Sequence, residues 1–237
     1  MKKIIMICVL VVFLSPSVYG GTVVGSKHDF TGGSLAYQYN TQVVCVFCHT
    51  PHSANPNVSL LWNRNLPNAG AFNLYNSVTL DAAQDLSVTK FSLLCLSCHD
   101  GVTAINAVIS PPADNPNLAS DVNLINPAWN TIGDATGTGI NTAESTGNLR
   151  NDHPVGFIYD ANLVNTDRTS GGFASDQLVI PGGVQPGYVG NPADKIRLFG
   201  DSRVECTTCH DPHDPDNGQF LVKSNANSGL CFSCHIK

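Results

Sequence analysis

The strongest constraint on this chain is a five-residue spacing, Cys-x-x-Cys-His, that occurs four times: Cys45/Cys48/His49, Cys95/Cys98/His99, Cys206/Cys209/His210 and Cys231/Cys234/His235. A lone Cys-x-x-Cys also suits a zinc site or a redox pair. Here a histidine follows every pair. With eight histidines in 237 residues, chance agreement four times over is on the order of one in a million. The spacing is that of c-type haem attachment, in which two thiols add to the vinyl groups of one porphyrin and the adjacent imidazole reaches the iron. Such a chain has to fold around four large apolar bodies. Porphyrin surface then supplies much of what a side-chain core would otherwise bury, and the polypeptide can be a thin wrapper.

The first residues bear on compartment. Met1-Lys2-Lys3, an apolar run from Ile4 to Leu14, and the small residues Val18 and Gly20 read as a secretory signal over 1–20, with the mature chain starting at Gly21. The apolar run is too short to span a bilayer, which takes about 20 residues, and no later stretch reads as a span. Cys8 leaves with the signal, so every mature cysteine belongs to a Cys-x-x-Cys-His motif and no disulfide is expected. Of twelve basic residues, Lys2 and Lys3 are lost, leaving ten against eighteen acidic ones and a mature charge of −8. That balance argues against nucleic acid or an anionic membrane as partner.

The chain repeats itself in the order A, B, A, B. Val44-Cys45 through His49-Thr50-Pro51-His52 matches Glu205-Cys206 through His210-Asp211-Pro212-His213, and Leu94 to His99 matches Leu230 to His235. Each half also carries one upstream histidine, His28 or His153. The mature chain, 21–237, therefore reads as a duplicated two-haem module, about 21–100 and 150–237. An Asn/Gly/Thr/Pro-rich insert covers about 101–205. Apolar spacing from Leu80 through Leu86, Phe91 and Leu94 predicts a helix over about Asp81 to Cys98. Ile196 to Glu205 alternates around a Gly-Asp turn and predicts a hairpin leading into Cys206. The insert is expected to be an irregular wrapping layer, anchored by Trp129, Phe157, Tyr159, Val179 and Ile180.

The iron ligands follow from counting. His49, His99, His210 and His235 sit in the motifs, and His28, His52, His153 and His213 remain for the opposite faces. The only methionines, Met1 and Met6, lie in the signal, so methionine ligation is not on offer from the mature chain. Four spare histidines for four irons predict bis-histidine ligation throughout, against the plainer reading that some of them decorate the surface. Three residues span at most ~10 Å, too little to carry His52 around the porphyrin held by His49, or His213 around that held by His210. Each should reach a neighbouring haem. The acidic run Asp211, Asp214, Asp216 with Gly218 suggests a calcium loop, but Pro212 and Pro215 make a solvated turn the better reading.

These stretches resemble bacterial multihaem c-type cytochromes with doubled Cys-x-x-Cys-His motifs. The resemblance is carried by Ser26-Lys27-His28-Asp29, Cys48-His49-Thr50-Pro51-His52, Asn151 through Gly156 and Val204 through His213. In length the chain resembles the OmcE-type tetrahaem outer-surface cytochromes of metal-respiring bacteria. That resemblance implies a multihaem cytochrome c fold: mostly irregular coil, with a few short helices and small hairpins wrapped around a stacked chain of four haem c groups. It also implies electron transfer without catalysis, by subunits joined head to tail into extracellular filaments. One axial histidine would pass between subunits, with His28 the first candidate and His52 the second. Redox-partner cytochromes and extracellular electron acceptors are the expected partners. A soluble periplasmic tetrahaem carrier and a multihaem reductase of a small oxyanion stand as alternatives.

Overall fold

The computed structural model describes residues 22–32, 38–78, 80–82, 87–100, 103–120, 148–150, 152–169, 178–179, 196–200 and 202–236. The signal segment 1–20, Leu86, Trp129 and Ile180 lie outside them. Regular structure is sparse. The α-helices are α1 (Lys90–His99), α2 (Ala161–Thr169) and the single turn α3 (Cys206–Cys209), joined by short 3-10 turns. The strands are two residues each: β1 (Asn73–Leu74) runs parallel to β2 (Asn148–Leu149), and β3 (Phe157–Ile158) antiparallel to β4 (Arg203–Val204). Among the described residues no helix is long and apolar enough to cross a membrane.

A chain of this length ordinarily gathers its apolar side chains into one contiguous core. Here they separate into small clusters. Phe30, Tyr39, Val46, Phe47, Ile105, Val108 and Leu118 form one in the first half. Phe157, Tyr159, Val164, Ile196, Leu198, Val204 and Val222 form its counterpart in the second. Two lesser clusters flank α1, one of Val58, Trp62 and Leu94, the other of Val88, Leu96 and Leu149. Helix α1 thus touches both of its sides with apolar residues, and its end carries a haem-attachment motif.

The helix expected over Asp81 to Cys98 is shorter and later than its apolar spacing predicts. It starts at Lys90, after the extended N-cap Thr89. The residues before it are held otherwise: Ser87 N–H donates to the Gly156 carbonyl at 3.3 Å, which ties the approach to α1 to the segment leading into β3. Gly156 has φ +80°, and a Cβ there would run into the Ser87 carbonyl. The helix does deliver Cys95, Cys98 and His99 from its last turns.

The hairpin before Cys206 is tight. Phe199 and Arg203 exchange both backbone hydrogen bonds, at 2.9 and 2.8 Å, and β4 then continues onto β3. Of the expected anchors, Phe157 and Tyr159 are buried. The Tyr159 hydroxyl donates to the carbonyls of Val179 (2.7 Å) and Cys234 (3.1 Å), fastening the insert to the last motif. The insert also holds α2, which the irregular-layer expectation lacked. Asp160 Oδ1 accepts from the backbone N–H groups of Asn162 (2.9 Å) and Leu163 (3.0 Å), an N-cap, and Val164 is fully buried.

Candidate haem-binding site

Two cysteines serving one porphyrin have to face the same way, and residues three apart do so on a helical turn. Each motif takes that form. Cys45 lies in the 3-10 turn Val44–Phe47, Cys95 and Cys98 on α1, Cys206 and Cys209 at the two ends of α3, and Cys231 in the 3-10 turn Cys231–Ser233. The histidine is locked against its cysteines by a backbone bond to the first of them: His49 to Cys45 (2.7 Å), His210 to Cys206 (3.0 Å) and His235 to Cys231 (2.9 Å).

The two A motifs fold alike beyond their shared sequence. Thr50 N–H meets the Leu61 carbonyl and Asn63 N–H the Cys48 carbonyl, as Asp211 meets Phe220 and Val222 meets Cys209. The returning strand carries a left-handed pair in both copies, Leu60 and Leu61 (φ +75° and +54°) and Gln219 and Phe220 (φ +47° and +58°). That kink aims a carbonyl at the motif imidazole. His49 Nδ1 lies 2.7 Å from the Leu60 oxygen and His210 Nδ1 2.9 Å from that of Gln219. Donation from Nδ1 leaves the Nε2 lone pair for a metal, the orienting role that carbonyls play behind ligating histidines. His153 Nδ1 is 2.9 Å from the Pro154 carbonyl, and His28 donates to the Pro212 carbonyl.

The imidazoles meet in pairs. His28 and His99 have ring centroids 6.1 Å apart, His153 and His235 6.3 Å, and His49 and His213 6.3 Å. Two metal–nitrogen bonds of about 2 Å and two ring radii of about 1 Å put trans imidazoles on one metal roughly 6 Å apart. All three pairs fit that separation. The upstream histidine of each half faces the B-motif histidine of the same half, and His213 of the second half faces His49 of the first. His52 and His210 are exposed and fall outside these three ring pairs, although His210 lies near enough to His28 and His99 to act on both. His28, the first candidate for an exchanged ligand, is instead held inside its own chain: besides facing His99, its ring stacks on Phe220 at 4.2 Å.

Burial suits the chemistry. Together with the nearby His28 and His210 it brings His99 down to about 4, and it pushes His28 down as well. Neutral imidazole is the ligating form. Burial pushes the thiols of Cys48 and Cys234 up to about 12 and that of Cys209 to about 11. A zinc or redox pair works as thiolate. These sites instead favour uncharged sulfur, which a thioether is. No two of the eight described cysteines form a disulfide, and among the described residues no three His, Cys, Asp or Glu side chains converge on a metal-sized site. Trp62 Nε1, buried beside His49 with the rings 5.4 Å apart, lacks an acceptor, and a haem carboxylate is one. The residues present fit haem c.

The motifs also touch in chain order. The Cys98 thiol raises Cys48, Cys95 donates to Cys206 (pushing Cys95 up and Cys206 down), and Cys231 raises Cys209. Three buried polar residues not singled out in the sequence hold this row together. Asn63 bonds Val46 and Ser110, Arg64 bonds the carbonyls of Ser97, Ala104 and Ile105, and Glu205 accepts from Thr89 and Ser92 on α1. Glu205 had a signal in the sequence: it occupies the place of apolar Val44 in the other A motif. Arg64 had none, lying in an Asn- and Pro-rich loop.

Residues 201–237 match a family described as the doubled CXXCH motif. No curated protein matches the chain. The family match supports a multihaem c-type cytochrome with covalently bound haem c, and its paired motifs suggest haem-based electron transfer.

Proposed function

We propose that the chain carries four bis-histidine c-type haems and works as the repeating subunit of an extracellular filament for long-range electron transfer. One observation carries this: three imidazole pairs stand at iron-spanning separation, and one motif histidine, His210, and one spare histidine, His52, fall outside them. A leftover acceptor and a leftover donor on one chain suit a head-to-tail contact, which builds an open polymer because it does not close on itself. His52 of one subunit then completes the site of His210 in the next. His52 replaces His28 as the exchanged ligand in this reading.

The haem supplies a one-electron iron couple. The chain's part is to hold it by paired thioethers, to orient each imidazole through a carbonyl behind it, and to set spacing and burial. Six-coordinate sites leave no place for a substrate, so the protein is read as a carrier and not an enzyme. It is exported to the cell surface or beyond, with other cytochromes as donors and extracellular acceptors as its outlet.

A second reading rests on the same exposed His210. In an isolated subunit that site has an open face, as a reductase of a small oxyanion requires. Spectroscopy with electron microscopy on the purified holoprotein decides. Filaments whose haems are all low-spin support the proposal. A discrete monomer with one high-spin haem and reductase turnover favours the enzyme, and a wholly low-spin monomer favours a soluble periplasmic carrier.

A further inference from the structure

Among the described residues, two ionisable side chains lie wholly out of solvent, and no salt bridge is formed by either. Arg64 is 0% exposed and Glu205 1%. Four bonds from the Arg64 guanidinium all end on carbonyls: Nε and Nη2 on Ser97 (3.1 and 3.0 Å), Nη2 also on Ala104 (2.6 Å) and Nη1 on Ile105 (2.6 Å). Ser97 belongs to the last turn of α1, the negative end of that helix. Glu205 sits across α1, near its start. Its two oxygens accept from the hydroxyls of Thr89 and Ser92, and its side chain also accepts from the backbone of Thr208 in a capping box over α3.

Withdrawing an ion from water is costly unless a close partner offsets it. What sets these two places apart is their neighbours. Arg64 acts on the Cys48 and Cys98 thiols, and Glu205 on the Cys206 thiol next to it in sequence. Each of those sulfurs is an attachment point, so each charge stands beside a different stretch of the row. Charges in a dry interior act strongly and are little screened by salt.

We propose that Arg64 and Glu205 grade the electron affinity of the row: Arg64 makes the site at Cys45/Cys48 the easier to reduce, and Glu205 makes the site at Cys206/Cys209 the harder. The site at Cys95/Cys98 lies between the two charges and takes an intermediate value. The proposal rests on reading the chain as a haem-bearing electron carrier. It adds that the row has a built-in direction, running down from the third site to the first.

The test is a spectroelectrochemical titration of the purified holoprotein, with haem content by mass and spin state recorded for every variant. Glu205→Gln keeps the volume and an acceptor oxygen. It is expected to ease reduction of the hardest component by at least tenfold in its equilibrium constant, about 59 mV per tenfold for one electron. Arg64→Met should make the easiest component harder by a similar factor, while Arg64→Lys leaves it nearly unchanged. If Arg64→Met does not yield folded protein, Glu205→Gln decides alone. A Glu205→Gln holoprotein with four low-spin haems and a titration curve superimposable on the parent overturns the charge grading while leaving the carrier reading intact. A parent protein without attached haem takes both down.

Discussion

His49 and His213 come from opposite halves of the chain and face one another at 6.3 Å between ring centroids, their planes 20° apart. The link crosses the sequence repeat. The two B-motif histidines are matched within their own halves, by His28 and His153, whereas this pair staples the first half to the second. A metal between them would serve as a cross-link between modules, and the removal of either imidazole should be felt in both coordination and cohesion.

The replacement of His213 by alanine therefore has a specific expected outcome. Covalent haem content is unchanged, because the thioethers at Cys45 and Cys48 do not involve His213. One haem turns high-spin in the resting spectrum, and His153→Ala produces the same signature from the site of His235. Mass spectrometry and absorption spectroscopy on the two variants make the measurement. A His213→Ala protein that stays wholly low-spin would show that His49 takes its partner elsewhere.

Exchange between subunits is tested by a contrast of two histidines. His52 is exposed, while His28 stacks on Phe220 and faces His99. His52→Ala should abolish filaments in electron micrographs and leave a haem-replete monomer. His28→Ala should leave filaments able to form, with one haem converted to high-spin. The reverse pattern would return His28 to the role of exchanged ligand.

The Cys-x-x-Cys-His motifs were legible in the sequence because they are local: a spacing five residues long needs no tertiary contact to be recognised. The pairing of His28 with His99 was not. A histidine near the mature N-terminus looks mobile from position alone, and what holds it here is Phe220 and the Pro212 carbonyl, both contributed by the distant third motif. The counting argument had already singled out His28, His153 and His213, and the structure brings each within 6.3 Å of a motif histidine, ring centroid to centroid. The start of α1 was misplaced for a similar reason. Apolar spacing continues upstream of Lys90, but the backbone at Ser87 is committed to Gly156 and cannot also turn as helix. Helix α2 hid in an Asn- and Thr-rich stretch, although Asp160 followed three residues on by a short apolar pair is a start signal that was there to be used.

Gly156 gives that commitment a price in stability. Its backbone receives Ser87 N–H and the Arg203 guanidinium at its carbonyl, and its N–H donates to Val204 at 2.7 Å, all with φ +80°. An alanine there meets both an unfavourable backbone region and the Ser87 carbonyl. Gly156→Ala is expected to cost about 2–4 kcal/mol and to disturb the His153 site three residues away. Thermal unfolding together with the spin state of the holoprotein measures both effects. An unchanged melting temperature would mean that the approach to α1 relaxes freely.

Two carboxylates at the edges of the first half bear on acid stability. The Asp29 carboxyl is held below its usual range, chiefly by the Gly25 N–H at 2.7 Å and then by the Thr31 hydroxyl at 2.5 Å, and it shapes the loop that carries His28. Asp114 is lowered chiefly by the Gln42 N–H at 2.7 Å and then by the Thr41 hydroxyl at 2.8 Å, joining the segment before the first motif to the loop after α1. For a carboxylate depressed on folding, the unfolded chain takes up its proton at the higher pH. The contribution is therefore complete above the unfolded value of about 3.9 and drains away as pH falls through the folded value. Asp29→Asn and Asp114→Asn should melt slightly below the parent from pH 5 to 7. The gap should close as pH drops below about 4, because the parent then carries protonated carboxyls at the same positions. Asp114 is exposed and Asp29 partly so, so the gap at neutral pH is small and shrinks with added salt. A gap that persists unchanged at pH 3 would place the effect of the substitutions in packing and not in charge.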